Sequence, residues 1–321
     1  MKKAISVLLA LVLILSLCTA AFAEDKKDLT IGFCVPTTSD AFYVAMMNGV
    51  QEKCDELGIN CVMQGPSTSD YTLQTPILEA LALQGIDALL IGPSGGDNML
   101  EPIKSVIDQY NIPVVTLDIS LSDPALTLAH VSSDNVEGGR QAAIAMDELI
   151  KASGNESKQV AVIGPNPASD TSQKRVAGWR EKIKELGYTV VSEQWCKNDS
   201  ALAATQMEQL LLAFPDVVGV FGANLYCALG IDNGLKSSNS DAIIVTFDAA
   251  QGQVDGLKDG TLQATVVQKP KMIGSMGVQF LYDHLTEGTV PEQHDNLLSP
   301  IVAYPEDVEN PEVSQWFYAV G

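Results

Sequence analysis

Short apolar runs rich in β-branched residues alternate with longer amphipathic stretches along most of this chain. Period-2 or fully apolar segments of three to seven residues predict strands at Leu29–Val35, Asn60–Met63, Ala88–Ile91 and Val114–Leu117. A second set follows at Val160–Ile163, Thr189–Val191, Val217–Phe221 and Ile243–Phe247. Between them the 3.6-residue period predicts helices over Phe42–Leu57, Thr72–Leu83, Glu101–Tyr110, Gly138–Lys151, Ser172–Leu186 and Ala201–Phe214. Gly58 and Gly187 stand where left-handed C-caps would stop two of these helices. Strands that alternate with helices imply a parallel sheet covered on both faces, an α/β fold.

The two sets of elements repeat one plan. At one constant offset, Asp40 is matched by Asp170, Gln64 by Gln194, Gly92 by Gly222 and Asp118 by Asp248. Val114-Val115-Thr116-Leu117-Asp118 mirrors Ile244-Val245-Thr246-Phe247-Asp248, and KCDELG ending at Gly58 echoes KIKELG ending at Gly187, one place out of phase. One match would be chance; five in the same order indicate two homologous Rossmann-like lobes.

Ligands of parallel α/β sheets sit beyond the carboxyl ends of the strands, and two facing lobes enclose a cleft there. The strand-end residues are Asp118, Asp248 and Asn224, with Thr37 to Tyr43 after the first strand and Asn166 to Arg175 after its counterpart. Two carboxylates can each accept two hydrogen bonds from adjacent hydroxyls, and Arg175 offers a fork of donors. Asn224 and Gln268 donate and accept at once, as a hydroxyl requires, while Phe42, Tyr43 and either Trp195 or Tyr226 could cover the C–H faces of a sugar ring. An Asp after a strand can equally be a helix cap, Trp179 reads as core, and Arg175 could be a surface helix residue. If Asp248 serves only the ligand, replacing it weakens binding and leaves melting of the free protein unchanged.

Ahead of the first strand lie Lys2 and Lys3, an apolar run from Ile5 to Leu17, and Ala21-Phe22-Ala23. This order reads as an export signal over residues 1–23, cleaved after Ala23, and the run is shorter than the roughly 20 residues a membrane span needs. Cys18 gives a second reading, a lipid anchor, weakened by Leu17 in the place where a small residue is usual. Both readings place the chain outside the cytoplasm. About 300 residues remain, the size of two domains rather than one. A net charge of −21 without basic clusters repels phosphate backbones and makes nucleic acid a poor partner. Cys34, Cys54, Cys61, Cys196 and Cys227 are odd in number and irregular in spacing, so buried thiols are expected; one bridge involving Cys61 is the alternative, since Cys34 and Cys61 fall on neighbouring strands.

No enzyme motif stands out. GxSxG, HExxH and a Walker A loop are absent, and Gly92-Pro93-Ser94-Gly95-Gly96 lacks a following Gly-Lys-Ser/Thr. His130, His284 and His294 are scattered, so neither a metal nor a cofactor is expected. A transcription regulator built on the same lobes would need a basic helix-turn-helix where the leader stands.

Several stretches together resemble the periplasmic sugar-binding proteins of the ribose/galactose type, the substrate-binding components of ABC transporters. They are Ser39-Asp40-Ala41-Phe42-Tyr43, Val115-Thr116-Leu117-Asp118, Ser133-Asp134-Asn135 with Gly138-Gly139, Arg175 before Gly178-Trp179, Val220-Phe221-Gly222-Ala223-Asn224, Phe247-Asp248 and Ala264-Thr265-Val266-Val267-Gln268. The resemblance implies three hinge crossings near Ser133, Gln268 and Leu298, dividing the chain into 29–133 plus 269–298 and 134–268 plus 299–321. It implies a monomer whose lobes close on a monosaccharide or polyol and then meet a membrane permease, or a sensor subunit that reports to a receptor kinase or chemoreceptor. It places Asp40, Phe42, Tyr43, Asp118, Arg175, Asn198, Asn224, Asp248 and Gln268 around the ligand. The chain departs from the ribose pattern at Ile119, an arginine in ribose binders, at Asp40, usually asparagine, and at Asn198, where an aromatic is expected. More acid and less base make ribose itself doubtful and admit an amino-bearing ligand.

Overall fold

The computed structural model describes residues 28–318; the leader reading, including Cys18, lies outside them. Two six-stranded sheets carry the fold. In the first, β1 (Thr30–Cys34), β2 (Asn60–Gln64), β3 (Ala88–Ile91), β4 (Val114–Leu117), β5 (Ala129–Ser133) and β11 (Asp295–Leu298) take the order 11-5-4-3-1-2, all parallel. In the second, β6 (Gln159–Gly164), β7 (Thr189–Trp195), β8 (Val217–Gly222), β9 (Ile243–Phe247), β10 (Ala264–Val267) and β12 (Ile301–Ala303) take the order 12-10-9-8-6-7. Only β12 among these runs antiparallel, against β10. The eight anticipated strands are all present, seven within one residue at either end, while β7 runs four residues past its expected end. β5, β10, β11 and β12 were not anticipated: Ala129-His130-Val131-Ser132-Ser133 and Asp295-Asn296-Leu297-Leu298 mix polar with apolar residues, and β10 and β12 are only four and three residues long.

The chain passes between sheets three times. It leaves β5 for the helix Asn135–Ser153, which packs on β8, β9, β10 and β12. It returns from β10 to the helix Pro270–Glu287, which lies on the helix Ala41–Leu57 and on β4 and β5, and it crosses once more from β11 to β12.

The same glycine device seats the helices in both lobes. A Cβ on Gly139 would lie 2.1 Å from the carbonyl oxygen of Arg175, and one on Gly178 2.1 Å from that of Val136. In the other lobe a Cβ on Gly49 would lie 2.1 Å from the Lys271 carbonyl oxygen, and one on Gly274 2.4 Å from that of Met46. Helix pairs thus cross backbone to backbone, which only the missing side chain permits. Trp179 is core, as its helical setting suggested: it is fully buried and stacks on Phe221 with ring centroids 5.7 Å apart.

All five described cysteines are thiols, and every one but Cys61 is buried. The β1–β2 register sets Ile31 opposite Cys61 and Cys34 opposite Gln64, which removes a Cys34–Cys61 pairing. The Cys61 thiol instead donates to Gln51 Oε1 at 3.2 Å.

Candidate functional site

Asp118 and Asp248 follow β4 and β9, and both hold positive φ, 67° and 86°. Side chains other than glycine rarely adopt this conformation, so each must be held in place. Each is held by its neighbouring strand. The Asp118 amide donates to the Val131 carbonyl at 2.9 Å and the Asp248 amide to that of Val266 at 2.8 Å. Hydroxyls then grip their own carbonyls: Ser132 to Asp118 at 2.8 Å and Thr265 to Asp248 at 2.6 Å. The repeat seen in the sequence is therefore a repeated strained turn, aimed from the carboxyl end of the fourth strand of each lobe.

Around Asp118, the Tyr43 hydroxyl donates to Oδ2 at 2.6 Å. Tyr43 sits at the start of the helix Ala41–Leu57, whose N-cap is Asp40, accepting from the Phe42 amide at 2.9 Å. Phe42 meets Tyr43 edge-on at 5.1 Å and Tyr318 edge-on at 6.0 Å. The Tyr318 contact spans the lobes, because the Tyr318 amide donates to the Ala249 carbonyl just after β9.

Around Asp248, Gln268 Nε2 donates to Oδ1 at 2.5 Å and the Tyr318 hydroxyl to the same oxygen at 2.8 Å. The Leu225 amide reaches Oδ2 at 3.2 Å, and Arg175 Nη1 lies 4.0 Å from it. Arg175 is buried rather than a surface helix residue. Its Nε donates to Asn135 Oδ1 at 2.8 Å, its Nη1 to the Ala223 carbonyl at 3.2 Å, and its guanidinium lies 3.9 Å from the centroid of the Phe247 ring. Asp248 therefore organises four neighbours, and its loss will be felt by the free protein as well. That corrects the expectation of unchanged melting.

Asn224 caps the helix Leu225–Ser238 and donates through Nδ2 to Asn198 Oδ1 at 2.8 Å. Asn198 is exposed and holds φ at 60°, so these two form a rim beside Asp248 rather than part of the buried ring. Trp195 packs over Gly164, where a Cβ would meet its ring at 2.5 Å. Tyr226 lies close enough to Asp40 for the carboxylate to help raise its pKa, after burial.

Nine residues were expected at this site. Asp40, Phe42, Tyr43, Asp118, Arg175, Asp248 and Gln268 come together, with Asn198 and Asn224 at the edge. Tyr318 and Asn135 were not expected. Tyr318 arrives from the far end of the chain with no local pattern to announce it; Asn135, two residues past the first crossing, carries the signal of a polar residue where β5 ends.

Two buried acceptors in the ring, Asp118 Oδ1 and Gln268 Oε1, have no hydrogen-bond partner among the described residues. Their residues are 6 % and 1 % exposed. A buried oxygen left unpaired is unfavourable by roughly 1–3 kcal/mol, so a pair of them on one cleft marks where hydroxyl or amine donors would be welcome.

Burial pushes the Asp118 carboxyl up to about 6; Tyr43 and Arg175 oppose the rise, while Asp248 and Asp40 reinforce it. Asp40 is also raised, by burial first and by Asp248 second. His130 on β5 moves the other way, down to about 4 through burial, and shares a 3.0 Å hydrogen bond with Thr116. The raised Asp118 contributes stability below pH 3.8 that is lost as pH climbs through about 6. The lowered His130 contributes stability above pH 6.5 that is lost as pH falls toward about 4. Between those limits the two oppose each other. Melting curves of the free protein are expected to show Asp118→Asn losing stability on acidification relative to wild type and His130→Gln gaining it. Parallel pH profiles for all three proteins would contradict this assignment.

Comparison with known proteins identifies the family. The family model described as a periplasmic binding protein domain matches residues 31–289. The ribose import binding protein of Bacillus subtilis (strain 168) is 32% identical over 295 residues, covering 89% of this chain and 94% of the relative. That of Escherichia coli (strain K12) is 31% identical over 280 residues, covering 87% and 91%. Among solved structures, an ABC transporter solute-binding protein of Agrobacterium vitis bound with α-D-tagatopyranose superposes with a TM-score of 0.83 at 30% identity, covering 91% of this chain and all of the other. A second from the same organism, with bound D-fucose, gives 0.78 at 27% identity, covering 90% of this chain and all of that one. With a family match across most of its length and near-complete coverage of curated relatives, the chain belongs to the periplasmic binding protein family.

Proposed function

We propose that this protein captures one monosaccharide or related polyol between its lobes and delivers it to an ABC importer. The observation that carries the reading is the pair of unpartnered buried acceptors, Asp118 Oδ1 and Gln268 Oε1, in a ring closed by aromatic rings and one guanidinium. Phe42 and Tyr43 cover the apolar face of the ring. Asp118, Asp248 and Gln268 take its hydroxyls, Arg175 donates from the opposite lobe, and Asn224 with Asn198 lines the rim. Nothing in this arrangement breaks a bond in the ligand, and the relatives are named for import and binding.

The lobes in this reading are 29–133 with 269–298, and 134–268 with 299–321. Their closure on the ligand shifts the population toward the state that meets the permease, by as much as the ligand prefers that state. The protein works as an exported monomer, released by cleavage after Ala23.

Ribose is not the favoured guest, although the two relatives above are named for it. Ile119 is half-buried beside Asp118 and supplies no donor. Ile119→Arg is expected to tighten ribose binding about tenfold, the effect of one added charge-assisted bond; unchanged ribose affinity in calorimetry would reject that account. A second reading rests on charge. Asp40, Asp118 and Asp248 share the site with Arg175 as their common cationic partner, which favours a ligand carrying an amine.

A thermal-shift screen of aldoses, ketoses, polyols and amino sugars tests the proposal, since a ligand that binds only the folded state raises melting by mass action. At least one hydroxylated compound should raise it by several degrees; a flat response across the panel would count against sugar capture.

A further inference from the structure

We propose that Cys196 and Cys227 are joined by a disulfide in the working protein and that this bridge braces the second lobe's wall of the cleft. Cys196 follows the last residue of β7, and Cys227 lies in the first turn of the helix Leu225–Ser238. The two sulfurs are 3.2 Å apart in the thiol form. Both residues are fully buried in one apolar cluster, so each thiol has the other as its nearest polar match. Only a short approach separates them from bonding distance, about 2.05 Å.

The surroundings favour oxidation. Donation from the Cys227 thiol is the main influence that brings the Cys196 thiol down to about 7, against burial, with smaller help from the backbone amides of Asn198 and Asp199 at the start of the helix Ser200–Ala213. Cys227 is pushed up by burial and by donating to Cys196, against the opposing effect of the Asn224 and Ala223 backbone amides. One partner is thus an attacking thiolate near neutral pH. Cys34, by contrast, is buried with a thiol raised to about 12 and hydrogen-bonds to Gln74 rather than to another sulfur.

The chemistry is thiol–disulfide exchange with a small disulfide as oxidant. Cys196 thiolate attacks one sulfur of the oxidant, breaking its S–S bond and releasing one thiolate. Cys227, giving up its proton to that thiolate, then attacks the Cys196 sulfur of the mixed disulfide and releases the second. The two cysteines lose two electrons and two protons, and the oxidant becomes two thiols. Because both sulfurs are inaccessible in the finished fold, exchange occurs as the lobe folds, and the bridge is then shielded from reductant.

The consequence falls on the binding rim. Asn198 is two residues beyond Cys196, Asn224 is three before Cys227, and these two side chains already share a 2.8 Å hydrogen bond. A covalent bond between the loops fixes their spacing before any ligand arrives, which is preorganisation of the site.

The test is to refold the full chain with either oxidised glutathione or excess dithiothreitol, denature it, block free thiols with N-ethylmaleimide and digest with trypsin. The expected product of the oxidised sample is the peptide 185–197 linked to 198–236, absent after dithiothreitol. The oxidised protein should melt roughly 5 °C or more above the reduced one. It should also exchange the amides near Asn198 and Asn224 more slowly. The double variant Cys196→Ser, Cys227→Ser should show neither difference. Complete blocking of both cysteines after oxidised refolding, or linkage of either to another cysteine, would overturn the bridge. A linked peptide with unchanged melting and exchange would overturn the bracing role. Mapping of the wild-type chain decides the first question even if the double variant fails to fold.

Discussion

Asp248→Ala is expected to lower affinity for the captured sugar at least about 100-fold, because two charge-assisted bonds of about 1.5–3 kcal/mol each would be lost. It should also destabilise the free protein, which separates this residue from a simple ligand contact. Arg175 would lose the carboxylate 4.0 Å from Nη1, and both side chains are nearly excluded from water. Removing one member of a buried ion pair commonly destabilises by about 3–5 kcal/mol, and this pair's long separation argues for the lower end. Gln268 and Tyr318 would lose their acceptor as well. Asp248→Asn keeps an oxygen for Tyr318 while removing the charge, so its binding should suffer more than its melting. Calorimetric titration and denaturant melts of both variants make the check. Wild-type affinity in Asp248→Ala would take this residue out of the site.

Gly139→Ala is expected to destabilise by about 3 kcal/mol despite replacing glycine within a helix by the best helix former. Propensity alone predicts a gain of about 1 kcal/mol. Space decides the sign: the new Cβ would stand 2.1 Å from the Arg175 carbonyl oxygen and 2.7 Å from the Trp179 amide nitrogen, both main-chain atoms. The two helices would have to move apart, and the turn carrying Arg175 would move with them. Affinity should therefore fall together with stability. Gly252→Ala is the matched control, since its Cβ would meet only a methyl of Leu229, at 3.1 Å. Its melting should change little. Equal melting of wild type and Gly139→Ala would contradict the backbone-to-backbone crossing.

The repeat was legible because it is written in the strands themselves. A fully buried parallel strand must be apolar throughout, so the strand-end aspartates stand out against Val-Val-Thr-Leu and Ile-Val-Thr-Phe. The same contrast marks Asn224 after β8. What the sequence could not display was the second function of each residue. Asp40 caps its helix, and Asp248 is tied to Tyr318, a residue seventy positions away. Tyr318 was invisible because side chains that enter a site from a terminal segment leave no periodic trace. β11 and β12 were missed for a related reason: edge strands of three or four residues, all but one of them exposed or half-buried, carry too little alternation to register. The cysteines illustrate the limit most sharply. Buried thiols were expected and are found, but neighbouring strands suggested Cys34 beside Cys61, whereas the β1–β2 register separates those two and the turn after β7 brings Cys196 against Cys227.

The account rests on two lobes presenting unpaired acceptors to one hydroxylated guest, and a crystal structure with the compound that most raises melting tests it directly. The account predicts a single sugar or polyol lying against Phe42 and Tyr43, with donors within hydrogen-bond distance of Asp118 Oδ1 and Gln268 Oε1 and with Arg175 reaching it from the other lobe. A ligand seated elsewhere, or one that leaves both oxygens unpaired, would contradict it.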